Sequence, residues 1–258
     1  MSKRGRRTRQ SPIRELQRRR AAERARGSLI LAVCIAIALA IVVAAAWEPA
    51  ANAVRTAMYD GEDLASVGKS SSDAGCQTTY TIPVAGSTSA VTTSSGSYLT
   101  APPAFGSYSS SASDSASVYS TRSDSPELPI LLTYLRAGYT ILWYDSTVHG
   151  AQLLQIQAIA RKFNDTSDGR DRFLAVPWLA AYASQVAKTY KKLASFPTGT
   201  HIAFTHWSNG GVGATGTDAV GAYQYCGSVS GAALKQFMQT FPYTDSPDPG
   251  TDPGVSTS

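Results

Sequence analysis

Three histidines and three cysteines are the residues of this 258-residue chain best suited to acid–base, metal or thiol chemistry. His201 and His206 lie five positions apart on one apolar run. On a strand an odd separation points two side chains to opposite faces, so a shared metal is not expected, and each reads as a hydrogen-bonded structural histidine. His149 follows Asp145 by four residues at the start of a helical pattern and reads as a surface histidine. No nucleophile or second carboxylate stands near it in the sequence, as acid–base catalysis would need. Gly211, Gly213 and Gly216 fit a G-x-G-x-x-G pattern after a strand. A dinucleotide site requires a helix to begin within that loop, and the residues after Gly216 do not look helical, so a hairpin loop is expected. Cys34 lies within an apolar run and reads as a small apolar residue.

The elements that must position these residues follow from periodicity. Residues 139–145 (YTILWYD), 172–177 (RFLAVP), 200–207 (THIAFTHW) and 222–227 read as strands. Helical spacing of Leu153, Ile156, Ala160 and Phe163 predicts a helix over 151–163. A stripe of Tyr182, Val186, Tyr190 and Leu193 predicts another over 179–194. A last helix is predicted over 230–241, with Ser230 as N-cap. The order is β-α-β-α-β-β-α. Strands separated by helices imply parallel pairing with right-handed crossovers, and the last two strands imply a hairpin. That succession is the order of a thioredoxin-like α/β domain. Thioredoxin-like enzymes place Cys-x-x-Cys where the first strand meets its helix. This chain has no cysteine from Asp145 to His149, so thiol exchange is not expected.

Charge is distributed unevenly. Residues 1–27 hold 11 of the 23 Lys and Arg against two Glu, and the remainder of the chain is net acidic. Residues 28–47 contain no charge. Twenty helical residues span about 30 Å, the hydrocarbon thickness of a bilayer. A basic lead before an uncharged run predicts a single-pass transmembrane helix with a cytoplasmic N-terminus, Trp47 at the interface and the rest of the chain extracytoplasmic in the cell envelope. A cleaved signal peptide is the competing reading, given Ala51-Asn52-Ala53 and Ala44-Ala45-Ala46, but the apolar run is longer than an h-region. The basic tail has no interleaved aromatics and no DNA-reading motif, so its partner is expected to be the inner leaflet and not nucleic acid. Residues 48–126 are serine-rich, with 19 serines between 66 and 125, and read as a flexible stalk. Within that stretch Cys76, residues 80–83 and residues 101–106 could be short ordered pieces that pack on the domain. The folded domain is expected over 127–244, and a Pro/Gly-rich disordered tail over 245–258. Outside the cytoplasm, Cys76 and Cys226 are expected to form a disulfide, with two free thiols as the alternative. Closing a loop of about 150 residues contributes roughly 4–5 kcal/mol in the chain-entropy model.

A further likeness rests on residues 138–145 (GYTILWYD), 173–178, 201–207, Tyr225-Cys226-Gly227 and 237–247 (FMQTFPYTDSP). In these the chain resembles domain-of-unknown-function family thirty-one-oh-five, found in actinobacterial membrane proteins. The resemblance covers about residues 76–247. It implies a basic tail, one membrane span and an extracytoplasmic domain, and it carries no established reaction. The family resembles a metal binder through His-x-Leu-Glu-His-Gly and through a histidine after Pro-Pro-x-x-Gly. Here the first motif reads Thr133-Tyr134-Leu135-Arg136-Ala137-Gly138, and the second reads Pro102-Pro103-Ala104-Phe105-Gly106-Ser107-Tyr108. Those replacements remove the imidazole and carboxylate donors. The chain is therefore expected to be a degenerate member. We expect no catalytic set, no metal and no cofactor, but a binding or envelope-scaffold domain with a protein partner in the envelope. The alternative is a metal-binding or redox-related envelope protein with a degenerate site.

Overall fold

A computed structural model describes residues 34–35, 37–42, 61–84, 90–91, 98–109, 116–164, 171–189, 195–211 and 219–256. The chain divides into two units, Met1–Val54 and Arg55–Ser258. In the first, the described residues between 34 and 42 are helical, and Ile35, Ile37, Leu39, Ile41 and Val42 are exposed. Among the described residues no helix is long and apolar enough to cross a membrane. Most of the expected span, and the basic tail before it, lie outside the described residues.

The second unit is a mixed α/β domain. Its strands are β1 (Tyr80–Pro83), β2 (Ala90–Val91), β3 (Tyr108–Ser109), β4 (Ala116–Ser117), β5 (Thr140–Tyr144), β6 (Phe173–Pro177), β7 (Ile202–Ser208), β8 (Val220–Cys226) and β9 (Val255–Ser256). Its helices are α1 (Leu128–Arg136), α2 (Ala151–Asn164), α3 (Ala180–Thr189) and α4 (Gly231–Thr240), with a 3-10 turn at Leu64–Ser66. The main sheet has the order β1-β8-β7-β5-β6. β5 and β6 are parallel, as expected for strands joined through a helix, but the same expectation fails for the third strand: β7, although it follows α3, pairs with the far side of β5 and is antiparallel to both β5 and β8.

Alternation along β5 explains its two-faced burial. Ile141 and Trp143 join Leu131, Leu135, Trp178 and Tyr182 on one side of the sheet. Leu142 and Tyr144 join Ile156, Ile159, Leu234 and Phe237 on the other. Helices α1 and α3 thus cover one face, and α2 and α4 the other. α4 begins with the expected cap, Ser230 Oγ accepting from Ala233 N at 3.1 Å. Its first residue must be glycine, because a Cβ at Gly231 would overlap the carbonyl oxygen of Leu64.

Two expected boundaries are corrected. The stretch 48–126 is not simply a stalk, and the domain does not start at 127. β1 lies inside that stretch and pairs antiparallel with β8, Tyr80 facing Tyr223. Tyr98, Ala104 and Phe105 are buried in the core. Residues 118–120 bridge the outer edge of β6, with Ala175 N donating to Val118 O at 2.8 Å and Ser120 N to Ala175 O at 2.9 Å. Serine content lowers the average hydropathy, yet the few aromatic and apolar residues among the serines are enough to fix the backbone. Nor is the described part of the tail disordered. Asp245 and Ser246 are buried, and Val255–Ser256 pairs with Ala116–Ser117. Polar anchors hold this segment: Asp248 N donates to Arg136 O at 2.9 Å, and Arg136 pairs with the Asp248 carboxylate at 3.0 Å. The sequence reading missed helix α1.

Candidate functional site

The parallel pair β5/β6 ends at Tyr144 and Pro177. In open α/β sheets, ligands bind beyond the carboxyl ends of the parallel strands. A cleft of about 420 Å³ opens there. Asp145 and Ser146 come from the end of β5, Trp178 and Leu179 from the end of β6, Phe196 from the approach to β7, and Arg122 from the segment after β4. Trp178 packs edge-on to Trp143, with ring centres 5.6 Å apart, and tilted to Phe196 at 6.2 Å. This gives the cleft an apolar wall.

Asp145 is the best-connected polar group of the cleft. Its carboxylate accepts from Thr147 N at 2.8 Å, Thr147 Oγ1 at 2.6 Å and His201 Nδ1 at 2.8 Å. Partial burial pushes this carboxyl up, but the hydrogen bonds from Thr147 and His201 outweigh that and hold it below the usual range. His149 bonds through Nδ1 to the Thr147 carbonyl and is exposed, as expected of a surface histidine.

The histidines separate as their spacing predicts. His201 precedes β7 and meets Asp145 just past the carboxyl end of β5, whereas His206 lies near the amino end of β5 on the opposite face. His206 is fully buried, with Nδ1 at 3.3 Å from Thr140 Oγ1 and its ring stacked near Phe241. Burial lowers its pKa to about 4, against the opposing field of Asp245. The Asp145–His201 pairing was missed from sequence. It follows from the antiparallel register of β5 and β7, which sets Tyr144 opposite Ile202 and therefore 145 opposite 201, a pairing the sequence does not signal.

Cys76 and Cys226 are joined, with sulfurs 2.07 Å apart. Most of the glycine pattern, residues 212–218, lies outside the described residues, but β7 and β8 on either side of it pair as an antiparallel hairpin. The positions singled out as degenerate also meet. The Arg136 guanidinium sits over the Tyr108 ring at 4.7 Å, and Thr133 Oγ1 both accepts from Ser109 N and donates to Ser109 O, each at 3.1 Å. Among the described residues no three His, Cys, Asp or Glu side chains are grouped to hold a metal ion. A second cavity, of about 460 Å³, lies at the amino ends of β5 and β6 between Thr140, Phe163, Arg172, Met238 and Phe241. Arg172 is committed there to the carbonyls of Ala137, Pro249 and Thr251.

No family model, no curated protein and no solved structure matches this chain.

Proposed function

We propose that the chain is a membrane-tethered extracytoplasmic binding domain of thioredoxin-like topology, with its ligand site at the carboxyl ends of β5 and β6. The observation that carries the reading is the cleft built around Asp145, with Trp178 and Phe196 as its apolar wall and Arg122 as its cation. The strand order β8-β7-β5-β6, with its single parallel pair, supports the thioredoxin-like reading. No thiol stands at Asp145–His149, and the two cysteines of the domain are joined to each other, so the topology is used for binding and not for thiol exchange. The disulfide supports a location outside the reducing cytoplasm. The uncharged run 28–47 behind eleven basic residues supports an anchor with the N-terminus inside. The resemblance to family thirty-one-oh-five supports the same layout.

Two measurements test this. A reporter enzyme active only outside the cytoplasm, fused after Ser258, should be active in the membrane fraction; activity confined to a cytoplasmic reporter would refute the topology. A photo-crosslinking residue at Ser146, in the cleft, should give a discrete envelope adduct, while one at the exposed Gln236 on α4 should not. Equal labelling at both positions would refute the cleft as the binding site.

A further inference from the structure

The cavity at the amino ends of β5 and β6 is built differently from the cleft at Asp145. Its volume of about 460 Å³ falls within the roughly 300–1,000 Å³ of small-molecule sites. Leu64, Phe163, Met238 and Phe241 give it apolar walls, and each is only partly buried against the core behind it. Arg172 lines the same cavity, and its side chain is only 10% exposed. The backbone just before β6 fixes its position, Thr140 N donating to Arg172 O at 2.9 Å. The guanidinium lies 5.0 Å from the ring centre of Tyr243, another residue of the lining. The edges of that guanidinium differ. Nη1 is saturated by the carbonyls of Ala137, Pro249 and Thr251. Among the described residues, buried Nε has no hydrogen-bond partner, and Nη2 meets only Asp252 Oδ2, at 4.0 Å. The Nε and Nη2 hydrogens lie side by side in the plane of the group. They form the fork that takes a carboxylate through two parallel hydrogen bonds. A buried N–H without an acceptor is destabilising, and a bound oxoanion would remove that cost.

We propose that this cavity binds a monocarboxylate with an apolar body, the carboxylate on the Nε–Nη2 edge of Arg172 and the body against Phe163, Met238 and Phe241. Three observations select that class. The open edge is a single fork and matches one planar oxoanion. Asp171 on the lining and Asp252 beside Nη2 oppose further negative charge, which favours a monoanion over a phosphate dianion. Lys235, the other cation of the lining, is already paired with Asp63 at 3.0 Å and does not offset those two acids. The apolar walls stabilise a hydrocarbon body, which a small acid such as acetate lacks. This site does not depend on the cleft at the other end of the strands.

The test is titration of the purified full chain with octanoate carrying 13C at its carboxyl, read by that resonance, with 1-octanol, acetate and octyl phosphate as competitors. Octanoate should bind saturably. Octanol lacks the charge and acetate lacks the body, so each should compete at least about 10-fold more weakly than unlabelled octanoate, and octyl phosphate should compete no better than octanoate. Met238→Trp fills the cavity and should abolish the saturable signal; the same variant subtracts octanoate that merely dissolves in detergent. Arg172→Lys keeps a charge without the fork and should weaken binding by about 10-fold or more. Asp252→Asn removes an opposing charge and should tighten it. Ser146→Trp, in the cleft at Asp145, should leave octanoate affinity unchanged. Melting curves confirm that each variant folds, and the contrast of octanoate with octanol on the native chain needs no variant. Octanol equal to octanoate, octyl phosphate tighter than octanoate, or saturable binding untouched by Met238→Trp would overturn the proposal. Octanoate binding lost in Ser146→Trp and kept in Met238→Trp would place the carboxylate in the cleft and overturn it too. No saturable binding at all would remove this site and leave the cleft reading standing.

Discussion

His206 is a neutral imidazole locked inside the sheet, and its burial makes stability depend on acid. In the unfolded chain a histidine titrates near 6.5, whereas in the fold His206 titrates at about 4. Between those values the unfolded state binds the extra proton. The His206 contribution is therefore complete above about pH 6.5 and is lost as pH falls toward about 4. The loss amounts to roughly 3 kcal/mol. Asp145, held below the usual carboxylate range, loses stability in the same direction at lower pH. Thermal melts between pH 7 and pH 4 should show this slope, and His206→Gln should flatten it between 6.5 and 4; an unchanged slope would contradict the assignment. Asp245 makes a second residue-scale case. Its buried carboxylate accepts from Ser208 Oγ at 2.6 Å, Asn209 N at 3.2 Å and Gly211 N at 3.0 Å. Asp245→Ala strands these donors and should cost about 2–4 kcal/mol in denaturant unfolding. That His201 and His206 lie on opposite faces was legible in their odd spacing. The partner of Asp145 was not, because pairing of 145 with 201 depends on which strands become neighbours, and periodicity does not state that.

The elements between Asp145 and Phe241 were legible because their apolar residues repeat at the period of a strand or a helix. α1 and the 118–120 bridge were not, and residues 80–83 were legible as an ordered piece but not as a strand of the main sheet, for a different reason in each case. β1 is short and mostly exposed, so it shows no apolar face. α1 has only nine residues and its polar side is reduced to Thr133 and Arg136, so its helical period is short. Residues 118–120 acquire their role only from the edge of β6 that they cover. The Cys76–Cys226 bond fixes the segment that leads into β1 against the end of β8. Replacing both cysteines with serine should lower stability by about 3–5 kcal/mol, as expected for a loop of 150 residues. β1 should then exchange its amide hydrogens faster than β7 does. Equal protection of the two strands would show that β1 is held by its own pairing.

At the scale of the whole molecule, the folded unit is larger than composition suggests. The core takes Tyr98 and Phe105 from the serine-rich stretch, and the tail closes over Arg136 and Tyr139 through Asp248 and Asp252. A fragment limited to residues 127–244 lacks β1, both core aromatics, the partner of Cys226 and the buried Asp245. It should fail to give a cooperative melt, whereas residues 55–258 should give one. Cooperative melting of the shorter fragment would contradict the extended core. The proposed function places the domain outside the cytoplasm, where the Cys76–Cys226 disulfide would persist. The most direct measurement is alkylation of the three cysteines of the full chain in intact cells, before and after reduction, read by mass. The account predicts that Cys76 and Cys226 become reactive together and only after reduction. Two free thiols at those positions without reductant would contradict it.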